Sequence, residues 1–397
     1  MIVLAGGDIV LPDRVIEKGS VLVADGRIAA IDQRPSIQPA GARIVEATGT
    51  YVVPGFIDVH VHGVGGFDTL DGPGAVAAIA AQLPRYGVTA FCPTTVACSQ
   101  QILATFLAEV AECRDARAAG AARVLPAHLE SNFINPAYCG AQPVSCLRSP
   151  VRTPPGAAGS DFSAGDVLDT IAASRASVGI VTLAPELPGG IELVRSLVAA
   201  GHRVSLGHSG ADFDTAVAAI EAGARHATHL FNRMTPMTHR APGLPGAVLA
   251  REEVVAELIC DGHHVHPAMC ELVLAAKGTR GIMAITDGTA GAGLPVGATA
   301  HLGGRTIRVT ESAAVLEDGT LAGSTLTMDR AFRNVVRSFH RAVIDAAQIC
   351  STTPARALAL DGLGAIATGN AADLVVLDRS FAVVSTVIAG EFAYSRD

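Results

Sequence analysis

Lysine is nearly absent from this chain. Lys18 and Lys277 are the only two, and the net charge of −8 arises from interspersed acids and bases. No basic stripe can track a phosphate backbone, so a nucleic-acid-binding role is excluded. No apolar run reaches the roughly 18 residues that a bilayer-spanning helix needs, so no membrane role is expected. The N-terminal MIVLAGGDIVLPDR has neither a basic leader nor a cleavage-type apolar stretch, which argues against export. The eight cysteines (92, 98, 113, 139, 146, 260, 270 and 350) include no CxxC pair. In a chain this large they read as reduced, mostly buried thiols, and the expected compartment is the cytoplasm.

What is present is apolar and periodic. Of 397 residues, 49% are hydrophobic, enough for one α/β barrel with a minor accessory domain. From residue 55 the chain repeats a short apolar run that ends in a polar residue near Gly, Pro, Ser or Asn. The runs are GFIDVHVHG (55–63), GVTAFCPTT (87–95), RVLPAHLES (123–131), GIVTLAPE (179–186), RVSLGHS (203–209), HATHLFN (226–232), VVAELICDG (254–262) and GIMAITDG (281–288). Helical Ala/Leu-rich spacers separate them, including 74–87, 211–223 and 266–278. Eight such repeats predict a parallel sheet buried on both faces and closed as a (β/α)8 TIM-like barrel over 55–358. Residues 1–54 and 359–397 contain short strands with turns and predict a small β-sandwich domain built by both chain ends. The Pro- and Gly-rich stretch 129–162 is a long loop of the kind that often serves as a lid.

The strand ends carry the chemistry. His60 and His62 are two residues apart, so in a strand they share a side and lie roughly 7 Å apart along the chain. Catalytic groups of such barrels sit at the C-terminal strand ends. Those ends give His60 and His62 (first), Glu130 (third), His208 (fifth), His229 (sixth) and Asp287 (eighth). Together they suit a divalent cation such as zinc, iron or manganese. His128 shares a face with Glu130 but lies deeper, in a supporting position. His202, His226, His301 and His340 read as structural or surface residues, and Cys139 as a spectator. The DGHHVHP histidines read as one substrate-facing ring rather than a separate metal site.

These residues stand in phrases that resemble the amidohydrolase superfamily and, within it, the N-acetylglucosamine-6-phosphate deacetylase family. The phrases are PGFIDVHVHG, LExxFINPxxxGA, TLAPE, GHSxA, ATHLFNxM, PGLPGA, DGHHV, ITDGTAGAG, LAGSTLTM and PARAL, in family order from residue 54 to 358, with ADLVVLD beyond. The resemblance implies a metal-dependent deacetylase releasing acetate from N-acetylglucosamine 6-phosphate in amino-sugar catabolism. It places Glu130, His208 and His229 on the main metal and His60 and His62, with Asp287, on a second. One or two divalent ions per subunit are thus implied, zinc foremost, with Asp287 as general base and acid. Many related hydrolases bridge two metals with a carboxylated lysine. Neither Lys18 nor Lys277 is at a strand end, so Glu130 takes the bridging role. Substrate contacts are implied for Ala141, Gln142, Asn232, Arg233, His264 and Gly323. Arg240, just before the PGL phrase, is implied for the phosphate, and a homodimer is expected to complete that pocket.

Three departures cluster around the substrate. Ser131 and Asn132 stand where the family reads Gly-Pro, Gln142 where it has histidine, and Ala241 where it has glutamate. They leave the metal set intact and keep open another N-acyl amino sugar or its phosphate. A non-catalytic metal-binding scaffold is the competing reading from another class.

Overall fold

The computed structural model describes residues 1–33, 39, 41–151, 161–311 and 313–396. Each predicted apolar run contains a parallel strand: Phe56–Val61, Val88–Thr95, Ala127–Glu130, Val178–Leu183, Arg203–Leu206, His226–Ala227, Val255–Ile259 and Ile282–Ile285. They are rich in β-branched residues and almost wholly buried, as expected of strands covered on both faces. Each pairs with its successor in sequence. A helix follows every strand, eight in all: Ala75–Gln82, Gln100–Asp115, Ala164–Ala173, Gly190–Ala199, Phe213–Glu221, Gly243–Ala250, Pro267–Lys277 and Met328–Arg337. Their starts are locally encoded. Asp212 caps Thr215 N, and His266 caps Ala268 N ahead of Pro267 in the first turn.

The seam between the eighth and first strands is short. It consists of the Val61–Gly288 bridge, with His62 N and Gly63 N both donating to Gly288 O at 2.8 and 2.9 Å. Asp287 N donates to His60 O at 3.0 Å. Beneath, the buried Asp58 carboxylate accepts from Thr286 Oγ1 at 2.6 Å and from the backbone N of His60 and Thr286. Burial lifts the Asp58 carboxyl to about 7 despite these donors. Two strands that barely pair are thus joined through a buried side chain.

The chain ends meet in one eight-stranded sheet. Its order is Glu391–Ser395, Val383–Ile388, Leu374–Leu377, Tyr51–Pro54, Ile2–Val10, Val15–Ala24 and Arg27–Asp32, with Arg43–Glu46 also pairing with Ile2–Val10. It has its own core, including Leu4, Ile9, Val21, Ile28, Val52, Leu374 and Val387. Tyr51–Pro54 runs directly into the first barrel strand through Gly55. A Cβ at Gly55 would lie 2.2 Å from Thr89 Oγ1, so only glycine fits this junction.

The barrel region also holds an insertion that sequence analysis did not anticipate. Thr299–Leu302, Arg305–Val309 and Ala314–Val315 form a three-stranded antiparallel sheet. Gly303 and Gly304, both at positive φ, form the two-residue turn. A Gly-Gly pair between alternating runs is the available signal. In the long loop after the third strand, short 3-10 turns occur at Pro136–Tyr138 and Val144–Cys146; residues 152–160 lie outside the described residues. All eight cysteines are free, five of them buried. Among the described residues no helix is long and apolar enough to cross a membrane.

Candidate active site

At the strand ends the chain turns sharply. His208, His229 and Asp287 have φ of 48°, 28° and 50° in the left-handed region, which is unusual for residues with a Cβ and typical of functional sites. Backbone bonds hold two of these corners. Asp287 N is anchored on His60 O, and Asn135 N donates to His208 O at 3.0 Å.

Two clusters result. In the first, Glu130 Oε1 lies 2.8 Å from both His208 Nε2 and His229 Nε2, and the two nitrogens are 3.1 Å apart. In the second, His60 Nε2 and His62 Nε2 are 3.2 Å apart, with Asp287 Oδ1 at 3.4 and 3.2 Å from them. The two histidines of the first strand do lean toward one point.

The donor chemistry decides what can sit among these atoms. His208 Nδ1 is 2.8 Å from Tyr138 O, and a carbonyl only accepts, so Nδ1 carries the proton. In a neutral ring, Nε2 then presents a lone pair to Glu130 and His229. His60 behaves alike: burial holds its pKa down at about 3, so the ring is neutral, and Nδ1 donates to Glu257 Oε2 at 2.9 Å. With the rings neutral, lone pairs face carboxylate oxygens with no hydrogen between them. A divalent cation relieves that arrangement, and both ligand sets fit one. A proton on Nε2 is the competing way to relieve the same contact, and the titration tendencies run in that direction. Burial opposes charge on His229, but Glu130 outweighs it and lifts the ring to about 9. Burial likewise disfavours the Glu130 anion, yet His208 and His229 hold its carboxyl well below the usual range.

A cavity of about 460 Å³ opens above, within the range of small-molecule sites. His62, Glu130, Ala141, Gln142, His208, His229, Asn232, Arg233, His264, Asp287 and Gly323 all line it. His60 lies beneath, fully buried. Arg240 is not on this cavity. It is exposed in a turn where Thr238 N donates to Ala241 O, and the cation at the cavity is Arg233. His264 Nδ1 is 2.6 Å from Asp261 Oδ2, while its buried Nε2 has no partner among the described residues. Gly323 has φ 56°, and a Cβ there would stand 2.8 Å from Asp287 O.

Several residues escaped sequence analysis. Glu257 lies inside the seventh strand, fully buried, and accepts from both His60 Nδ1 and His229 N. Burial raises its carboxyl to about 7. A charged residue in the otherwise apolar run VAELI was the available signal, because such a group is costly unless it is partnered. His128 sits beside it with both ring nitrogens engaged, to Val59 O and Thr182 Oγ1. Glu186, at the end of TLAPE, braces the next loop through Asn135, Ser209 and Gly210 N. Leu302 and Leu321, from the insertion and the segment following it, form part of the cavity wall.

A model of the amidohydrolase family matches residues 51–393. The chain is an amidohydrolase. N-acetylglucosamine-6-phosphate deacetylase of Bacillus subtilis (strain 168) is 34% identical to this amidohydrolase over 390 residues, covering 97% of this chain and 95% of the relative. N-acetylgalactosamine-6-phosphate deacetylase of Escherichia coli O157:H7 is 35% identical over 373 residues, covering 94% and 93%. The crystal structure of N-acetylglucosamine-6-phosphate deacetylase from Pasteurella multocida superposes with a TM-score of 0.90 at 26% identity, covering all of both chains. A mutant of the Mycobacterium smegmatis deacetylase in complex with N-acetyl-D-glucosamine-6-phosphate gives 0.88 at 30% identity, covering 99% of each.

Proposed function

We propose that this amidohydrolase hydrolyses the acetamide of N-acetylglucosamine 6-phosphate, giving glucosamine 6-phosphate and acetate. The carrying observation is the meeting of Glu130 with His208 and His229 at the floor of a cavity edged by Asp287. Glu130, His208 and His229 hold the main cation, and His60, His62 and Asp287 have the ligand types for a second; zinc suits both sets, with iron and manganese as alternatives. A cation so held polarises the amide carbonyl and makes water a stronger acid.

The chain's own groups do the rest. Asp287 accepts the proton of the attacking water and delivers it to the departing nitrogen. His264, fixed by Asp261, offers its free Nε2 to the sugar or its phosphate. Arg233 supplies a guanidinium for phosphate oxygens at the cavity edge. Ala141, Asn232 and Gly323 shape the sugar site, with Gly323 letting the backbone pass close against Asp287 and Thr289. Glu257 orients His60. Glu257→Ala is expected to lower zinc affinity about 10–100-fold, measured by competition with a chelating dye. Glu257→Gln should recover part of that, because its amide oxygen still accepts from Nδ1.

The chain further reads as a small β domain (1–54 and 359–397) beside a catalytic barrel (55–358), working in the cytoplasm as a homodimer. Arg240, exposed on its turn, is available to the phosphate pocket of a second subunit.

A second reading, the galacto epimer, is favoured by the equal likeness to an N-acetylgalactosamine-6-phosphate deacetylase. Steady-state rates on the gluco, galacto and manno 6-phosphates and their unphosphorylated forms separate the readings. The gluco phosphate is expected to have the highest kcat/KM, and Arg233→Ala to raise KM for phosphorylated substrates only. A faster galacto phosphate would shift the assignment to that epimer, and indifference to phosphate would refute a sugar-phosphate enzyme.

A further inference from the structure

We propose that Gln142 makes the two cation clusters unequal, by occupying the Glu130 oxygen through which they would share a bridging ligand. Gln142 is buried on the loop after the third strand. Its Oε1 accepts from Ala97 N at 2.7 Å, and because a backbone N–H only donates, this bond fixes which end of the amide is oxygen. The opposite end, Nε2, donates to Glu130 Oε2. The two carboxylate oxygens of Glu130 are therefore not equivalent. Oε1 stands between His208 and His229 at 2.8 Å from each. Oε2 faces the other cluster, 3.6 Å from His62 Nε2, and accepts the amide hydrogen of Gln142.

The amide N–H takes one of the two lone pairs of Oε2, weakens the oxygen as a donor, and sets its positive end beside any cation that would use the other. With Oε2 so engaged, the His60–His62–Asp287 cluster has one carboxylate and two rings of its own and only a weakened share of Glu130. The Glu130–His208–His229 cluster keeps its full set. A histidine here could also contact Glu130, but a glutamine pinned from both ends cannot turn away. Gln142 is a positioning residue in this scheme: it sets the affinity of the second site by acting through Glu130.

The inference rests on the reading that these clusters hold cations, and the test separates the two. The full-length protein is stripped by chelation and titrated with zinc against a chromophoric competitor. Wild type is expected to bind one equivalent tightly and a second about 100-fold more weakly. Gln142→Met, of similar length but without a donor, should narrow that gap at least about tenfold, into the range by which residues behind a ligand tune metal affinity. Gln142→Asn, which withdraws the amide by one methylene, serves under the same criterion if the methionine variant does not fold. Two equally tight equivalents in wild type, or a gap unchanged in the folded variant, overturn the proposal. The absence of any tight equivalent overturns the cation reading instead.

Discussion

Asp287→Asn is expected to retain the main cation and substrate affinity while kcat falls about 10²–10⁴-fold, the usual worth of a positioned general acid–base group. The substitution is nearly isosteric, and the backbone at this corner is held by Asp287 N on His60 O and by Ser324 N on Asp287 O at 2.7 Å. The amide therefore occupies the carboxylate's place. What it loses is the capacity to take a proton from water and return it to nitrogen. The informative pattern is a drop in kcat with KM close to wild type and one equivalent of metal retained. Near-normal turnover would remove Asp287 from the proposed chemistry. A parallel loss of the tight metal would mean that Asp287 serves as a main ligand instead.

Glu130→Ala is expected to abolish tight metal binding and, with it, turnover. Its Oε1 is the anion between two ring nitrogens only 3.1 Å apart, so the variant leaves lone pairs facing each other with no negative charge to hold a cation. The affinity loss should exceed the roughly 10–100-fold that follows from removing a residue behind a ligand. Thermal unfolding gives a readout independent of activity. A ligand bound only by the folded state stabilises it by about 4.1 kcal/mol at a thousand times its Kd. The wild-type Tm should fall on chelation and recover with zinc, whereas the Tm of Glu130→Ala should ignore both. A zinc-responsive Tm in the variant would place the tight site elsewhere.

The amino-acid sequence made the barrel legible because apolar runs ending in polar groups recur eight times, and each barrel strand lies inside one of them. The meeting of the six metal-competent side chains was legible for the same reason: they stood at strand ends, where such barrels place chemistry. Pairings that depend on depth or distance along the chain were not. Glu257 and Asp58 lie within buried strands, and their partners are fixed by the barrel's closure rather than by local pattern. Arg240 was assigned by its order along the chain, just before the PGL phrase. The turn at Thr238–Ala241 leaves that residue exposed on its own subunit, while Arg233 lies at the cavity.

The loop after the third strand touches both business ends of the molecule. Tyr138 O fixes the ring of His208, Gln142 holds Glu130, and Ala141 lies on the cavity wall between them, its carbonyl accepting from Arg305. Drift in this loop cannot alter which sugar is welcomed without also disturbing the cage beneath it. Leu302 and Leu321, also on the cavity wall, have side chains with no polar atom to engage the cage. Evolutionary experimentation with new acyl groups or epimers has its freest ground there.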